Sequence, residues 1–237
     1  MVKPIRKHSS SSMSFSDINP KTNWEGVKTF SFSCKGEKVK VDRLSLIGNN
    51  VHGGSVFCGY LPEQNGKLVA ISEWTVKLKS PSEKSGKRVA FCDTFSRDEK
   101  TFLKQVGTIE QELSGILKVQ QHPNVVQYLG MSYEAPILRI YEEFVLGSNF
   151  SSYLSENLPI ELSQLRHYAS SILQALKFMH EHNIVHRDLR DTSIYLESSG
   201  LIKVGDFSID KRVRDLICVN VEDRVSKSRS RIPIPRD

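Results

Sequence analysis

Two short runs hold the residues best suited to chemistry: His186-Arg187-Asp188-Leu189 and Asp206-Phe207-Ser208, whose aspartates stand eighteen positions apart (188 and 206). A carboxylate can accept a proton from a hydroxyl or hold a hard cation. Three-residue matches carry little information alone; order and surroundings make them specific. A third run, Gly48-Asn49-Asn50-Val51-His52-Gly53-Gly54-Ser55-Val56, is glycine-rich, and by itself it reads as an ordinary hairpin turn.

Hydrophobic spacing supplies the elements that must position these runs. β-type stretches punctuated by glycine cover residues 39–47, 55–61 and 68–78, with Gln64-Asn65-Gly66 as a turn, and predict a small antiparallel sheet. Residues 80–97, rich in Ser and Lys, predict a surface loop. Phe102, Leu103, Val106, Ile109, Leu113, Ile116 and Leu117 recur at spacings of three and four, which predicts a helix ending before His122-Pro123. Strands are predicted over 125–129 and 138–145. A second helix follows, with Leu162, Leu165, Ile172, Leu173, Leu176 and Met179 as its apolar stripe. Residues 194–196 and 202–204 flank Ser198-Ser199-Gly200 as a hairpin, so one aspartate follows a long helix and the other follows a hairpin.

In that order of elements, with His-Arg-Asp and Asp-Phe at those two places, the chain resembles the eukaryotic protein kinases from about residue 39 to about residue 214. The resemblance implies an α+β, two-lobed kinase-like fold with a β-rich N-lobe and a truncated helical C-lobe. It divides the chain into a flexible serine-rich arm (1–28), an N-lobe (29–146), a partial C-lobe carrying both motifs (147–216) and a basic polar tail (217–237). It implies Asp188 as the base for the substrate hydroxyl, Arg190 as the positive charge near the transferred phosphate, and Asp206 as magnesium ligand, with Ser193 a weaker one. Gly54, Val56, Ala70, Glu143 and Val145 become the nucleotide contacts, and ATP with magnesium the implied ligands.

Several positions depart from the kinase pattern. The strand motif Val-Ala-Ile-Lys is here Val69-Ala70-Ile71-Ser72, and losing one such preorganised charge costs on the order of 3 kcal/mol in the transition state. Lys77 and Lys79 lie too far along to substitute, and Glu112, the matching helix carboxylate, is left without its lysine. Ser193 replaces the metal-binding asparagine. Tyr195 replaces a leucine beneath the adenine and would crowd it by ~1–3 kcal/mol. Ser208 replaces the glycine after Asp-Phe, Val51 obstructs close approach of the phosphates, and Glu142 puts a charge on the usually apolar back wall.

Ser72-Glu73-Trp74, His122-Pro123-Asn124-Val125-Val126 and the run from Gly205 to Arg212 narrow the likeness further. They resemble the pseudokinase domain of the general control kinases, which respond to amino-acid starvation and phosphorylate the alpha subunit of translation initiation factor two. That implies a cytoplasmic regulatory module contacting a kinase domain of the same or a like chain, with a translation-machinery contact through the parent protein. Two alternatives stay open: an ATP-binding serine/threonine kinase of weak or atypical activity, for which Asp188, Arg190 and Asp206 speak, and an interaction scaffold or non-functional truncation.

Composition sets the outer limits. With 237 residues, 38% of them hydrophobic, the chain can bury one sizeable core or two small lobes. Its apolar runs are too short for a membrane span, and residues 1–16 lack the apolar centre of a secretory signal, so an intracellular protein is expected. Cys34, Cys58, Cys92 and Cys218 have no paired spacing, which predicts reduced thiols. The net charge of +6 gathers at the two ends, where solvated tails are expected rather than specific nucleic-acid recognition. Beyond Asp210 the sequence is too polar and proline-marked for the remaining C-lobe helices. A fragment, a truncated isoform or an imperfect gene model is therefore expected, with the second helix half covered.

Overall fold

The computed structural model describes residues 27–50, 53–76, 99–119, 121–207 and 209–218. The 80–97 loop, Val51, Lys77, Lys79, Ser208 and nearly all of the N-terminal arm and basic tail lie outside the described residues. Six strands form the larger sheet: β1 (Lys28–Cys34), β2 (Glu37–Asn49), β3 (Ser55–Leu61), β4 (Lys67–Thr75), β5 (Tyr128–Glu134) and β6 (Ile137–Glu143). Their order is β1-β2-β3-β4-β6-β5, with every neighbouring pair antiparallel. The tight turn between β3 and β4 puts Asn65 and Gly66 at φ 53° and 71°, a region glycine enters freely and asparagine tolerates. Alternate side chains of β1 and β2 pack inward, so that Phe32 sits opposite Val39 and stacks on Tyr141 at 4.0 Å.

The strand expected over 125–129 begins only at Tyr128. Val125 makes a single parallel bridge to Val204, because the backbone here is spent between the lobes: Val204 N–H donates to Asn124 O, and Val126 N–H to Val204 O. A second, three-stranded sheet consists of β7 (Gly147–Asn149), β8 (Ile194–Glu197) and β9 (Ile202–Val204). β8 and β9 are the expected hairpin. β7 leads into α2 (Phe150–Asn157), whose first turn is capped by Asn149 Oδ1 accepting the Ser152 N–H at 2.8 Å.

α1 (Glu99–Leu117) buries Phe102, Val106, Ile109 and Leu113 as its spacing predicts, leaving Leu103 exposed. α3 (Leu162–Glu181) turns only part of the expected stripe inward: Met179 is buried and Ile172 and Leu176 pack against the main core. Tyr168, Ser171, Ala175 and Met179 are buried, whereas Leu162, Leu165 and Leu173 are 58%, 48% and 65% exposed. Small residues let α3 settle closely on β9, and among the described residues no element covers its far side.

The stretch after Asp206 corrects the expectation of a polar run-out, for α4 (Ile209–Cys218) is a helix. Ile209, Val213 and Leu216 recur at helical spacing between charges and are buried in the main core with α1, β5, β6 and α3. Cys34 and Cys58 are free thiols, and burial pushes Cys58 up to about 11. No helix among the described residues is long and apolar enough to cross a membrane.

Candidate functional site

A cavity of about 330 Å³ has β2, β3, β4 and β6 on one side and Asn149, Thr192, Tyr195 and Asp206 on the other. Among the residues expected from sequence it gathers Val56, Ala70, Ser72, Glu143, Val145, Tyr195 and Asp206; Gly54, Asp188, Arg190 and Ser193 lie outside its lining. Val56, Ala70, Val126, Phe144 and Val145 give it one apolar side. Glu143 fastens the end of β6 to β9, its carboxylate accepting from Gln127 N–H at 3.0 Å and from Lys203 Nζ at 2.8 Å.

Gly54 is needed for packing: a Cβ there would stand 2.5 Å from the Trp74 ring. Its N–H donates to Asn50 Oδ1 at 2.8 Å, and Asn50 Nδ2 in turn donates to Ser72 Oγ at 3.4 Å. The glycine-rich turn thus closes onto the serine that stands where the lysine would be. Ser72 is buried, between Val56 on β3 and Ile140 on β6.

The catalytic-loop residues are engaged with one another. Arg190 Nε donates to Asp188 Oδ1 at 2.8 Å. Ser193 is fully buried, and its hydroxyl accepts from Arg190 N–H and donates to Arg190 O, both at 2.9 Å. Glu112, expected to be without a mate, has two arginines instead: it bonds Arg212 of α4 and lies 3.9 Å from Arg187. Arg187 has φ 71°, a strained value for a long side chain.

Asp206 is buried and accepts from Tyr195 Oη–H at 2.9 Å. Burial pushes its carboxyl up to about 6; the Tyr195 bond works against this and the Asp188 charge adds to it. Two further acids join it. Glu142 is 6% exposed and Asp210 fully buried. Burial and the neighbouring acids raise Glu142 well above the carboxylate range, and burial followed by Asp206 pushes Asp210 up to about 7. Tyr128 holds this corner, its hydroxyl bonded to both Phe207 O and Asp210 Oδ2. The sequence reading found Glu142 but missed Asp210, Tyr128 and Arg212. The spacing of Ile209, Val213 and Leu216 was the available signal for α4, and with it for Asp210 and Arg212.

The charged groups of this lining are hydrogen-bond acceptors, which do not suit the phosphates of a nucleotide. Among the described residues no lysine or arginine lines the cavity, whereas Glu142, Glu143 and Asp206 do. Burial favours the protonated form of Glu142, and Lys203 pairs with Glu143, so ionised Asp206 is the charge a triphosphate meets. Like charges about 4 Å apart repel by ~4 kcal/mol at an effective dielectric near 20.

Residues 77–225 match the family model described as protein kinase domain. The chain is 28% identical to the rat eIF-2-alpha kinase GCN2 over 212 residues, 85% of this chain and 12% of that protein. It is 27% identical to the human eIF-2-alpha kinase GCN2 over 203 residues, 83% of this chain and again 12% of the relative. The Arabidopsis thaliana mitogen-activated protein kinase kinase kinase ANP1 is 37% identical over 130 residues, 55% of this chain and 19% of that one. The chain therefore spans about an eighth of the GCN2 relatives' length. Among solved structures, Rad53 residues 1–466 in complex with AMP-PNP gives a TM-score of 0.53 at 19% identity, covering 71% of this chain and 38% of that one, a likeness of fold.

Proposed function

Because this chain belongs to the protein kinase domain family, we propose that it is a pseudokinase: a kinase-shaped regulatory domain that acts by contact with a catalytic kinase domain of the same or a like chain. One observation carries the reading: Ser72 stands in place of the lysine, in a cavity whose charged lining residues, among those described, are all acidic. Phosphoryl transfer depends on positioning phosphates and neutralising their charge, so a cleft of this sign lacks its main requirement. The engagement of Arg190 with Asp188, and of Ser193 with the Arg190 backbone, supports the same reading. The likeness to GCN2 kinases supports a place in translational control in the cytoplasm, with a translation-machinery contact through the parent protein.

A second reading, a weak ATP-dependent serine/threonine kinase, is favoured by Asp206 facing the cavity and Asp188 nearby. Thermal unfolding in magnesium alone and in magnesium with ATP separates the two, since a ligand of the folded state raises Tm by mass action. A pseudokinase of this kind gives no magnesium-dependent ATP shift. A further rise on adding ATP to the magnesium sample, abolished by Asp206→Asn, would overturn the proposal and favour the weak kinase.

A further inference from the structure

Glu142 from the end of β6, Asp206 before α4 and Asp210 in its first turn bring a carboxylate oxygen each to within 4.8 Å of the other two. All three are buried, and no lysine or arginine lines the adjoining cavity among the described residues. Two phenols orient the group from outside: Tyr195 donates to Asp206 Oδ2 at 2.9 Å, and Tyr128 to Asp210 Oδ2 at 2.6 Å. The remaining oxygens are the telling ones. Among the described residues, Glu142 Oε1 and Asp210 Oδ1 are buried without a hydrogen-bond partner. Buried carboxylates without a countercharge are expensive, and an orphaned acceptor inside a ring of acceptors calls for a positively charged occupant.

We infer that Glu142, Asp206 and Asp210 form a binding site for a hard divalent cation that fills without nucleotide. Oxygen-only donors select Mg²⁺, Mn²⁺ or Ca²⁺ over softer metals. Oxygens bound to one Ca²⁺ at about 2.4 Å lie at most about twice that apart, and these three meet that limit. The phenols play the part that outer-shell groups play in metal sites, fixing one oxygen of a carboxylate while the other faces the ion. The cavity, which Glu142 and Asp206 both line, is the access route. Glu142 and Asp210 lie outside the kinase residues with assigned roles in the sequence reading, and occupancy here is independent of whether the chain transfers phosphate.

The test is the thermal unfolding of the full chain, freed of metal with a chelator and then given Ca²⁺, Mn²⁺ or Mg²⁺ with no nucleotide. Saturating cation is expected to raise Tm by about 5–10 °C. Glu142→Gln and Asp210→Asn should abolish the rise, while Glu156→Gln, on the exposed part of α2, should keep it. Isothermal titration of the unsubstituted chain with Mn²⁺ decides the matter even where a variant fails to fold: one site per chain is expected. No binding heat and equal Tm in chelator and in all three cations would overturn the inference, leaving protons to neutralise the cluster. A rise that persists in folded Glu142→Gln and Asp210→Asn would overturn it as well, by placing the ion elsewhere.

Discussion

Ser72→Lys returns a positive charge to the cavity that Glu142 and Asp206 line, and its effect is best read from the pH dependence of stability. Burial first, with Asp188 adding, lifts Asp206 from 3.8 to about 6. The difference of about two units corresponds to ~3 kcal/mol. The folded chain therefore holds a proton on Asp206 that the unfolded chain has released, so stability falls as pH rises from about 4 toward 6 and stays lower above it. Glu142, Tyr195 and Asp210 also face this carboxylate, and all are raised by burial, so the same sign applies to the acids among them. An ammonium beside Asp206 favours its ionised form and flattens the fall by up to ~3 kcal/mol. Urea unfolding of both chains in chelator, from pH 4.5 to 8, measures this, and titrations elsewhere cancel in the comparison. The unsubstituted chain should lose stability with pH and the lysine variant should lose less. Parallel curves would refute the reasoning, because the lysine would then not feel Asp206. Glu112 stays with Arg212 and Arg187 in either chain, so the variant is not expected to form a lysine–glutamate pair with α1.

Other perturbations test the scaffold. Tyr195→Phe removes the donor to Asp206 and should cost ~1.5–3 kcal/mol at pH 8, where that carboxylate is ionised, and less at pH 5, measured by urea unfolding. Glu73→Ala strips Arg139, 4% exposed in its side chain, of the carboxylate it meets at 2.9 Å, and Arg43 of one at 2.8 Å. Arg139 keeps Glu134 at 3.1 Å, so the loss should be roughly 1.5–3 kcal/mol by the same assay. Gly147→Ala drives a Cβ into the Leu196 carbonyl oxygen of β8, so β7 must shift, and a Tm loss equivalent to ~1–3 kcal/mol is expected by circular dichroism.

Much of the fold was legible because its signals are local. The spacing from Phe102 to Leu113 defines α1, and Ser198-Ser199-Gly200 between two apolar runs defines the β8–β9 hairpin. The start of β5 was not, since Val125 and Val126 look like strand residues and only their distant partner, Val204, diverts their backbone bonds. α3 was found as a helix, and Ile172, Leu176 and Met179 of its expected stripe pack inward, but the rest of the stripe does not. Leucines at 162, 165 and 173 satisfy a helical stripe as well as Tyr168 and Ala175 do, and only packing chooses between them. Around the site, Ser72 and Glu142 could be found from their places in the kinase pattern. The engagement of Glu112 with Arg212 could not, because it joins positions one hundred apart through a helix that looked like a polar tail.

Tyr128 reaches from β5 to hold the Phe207 carbonyl and Asp210, while Asn124 and Val126 grip Val204. None of those atoms moves a phosphate. In terms of descent, outline and catalysis are therefore inherited through separate sets of bonds. A lineage that exchanges the β4 lysine for serine keeps every one of these bonds and so still passes on the silhouette of a kinase.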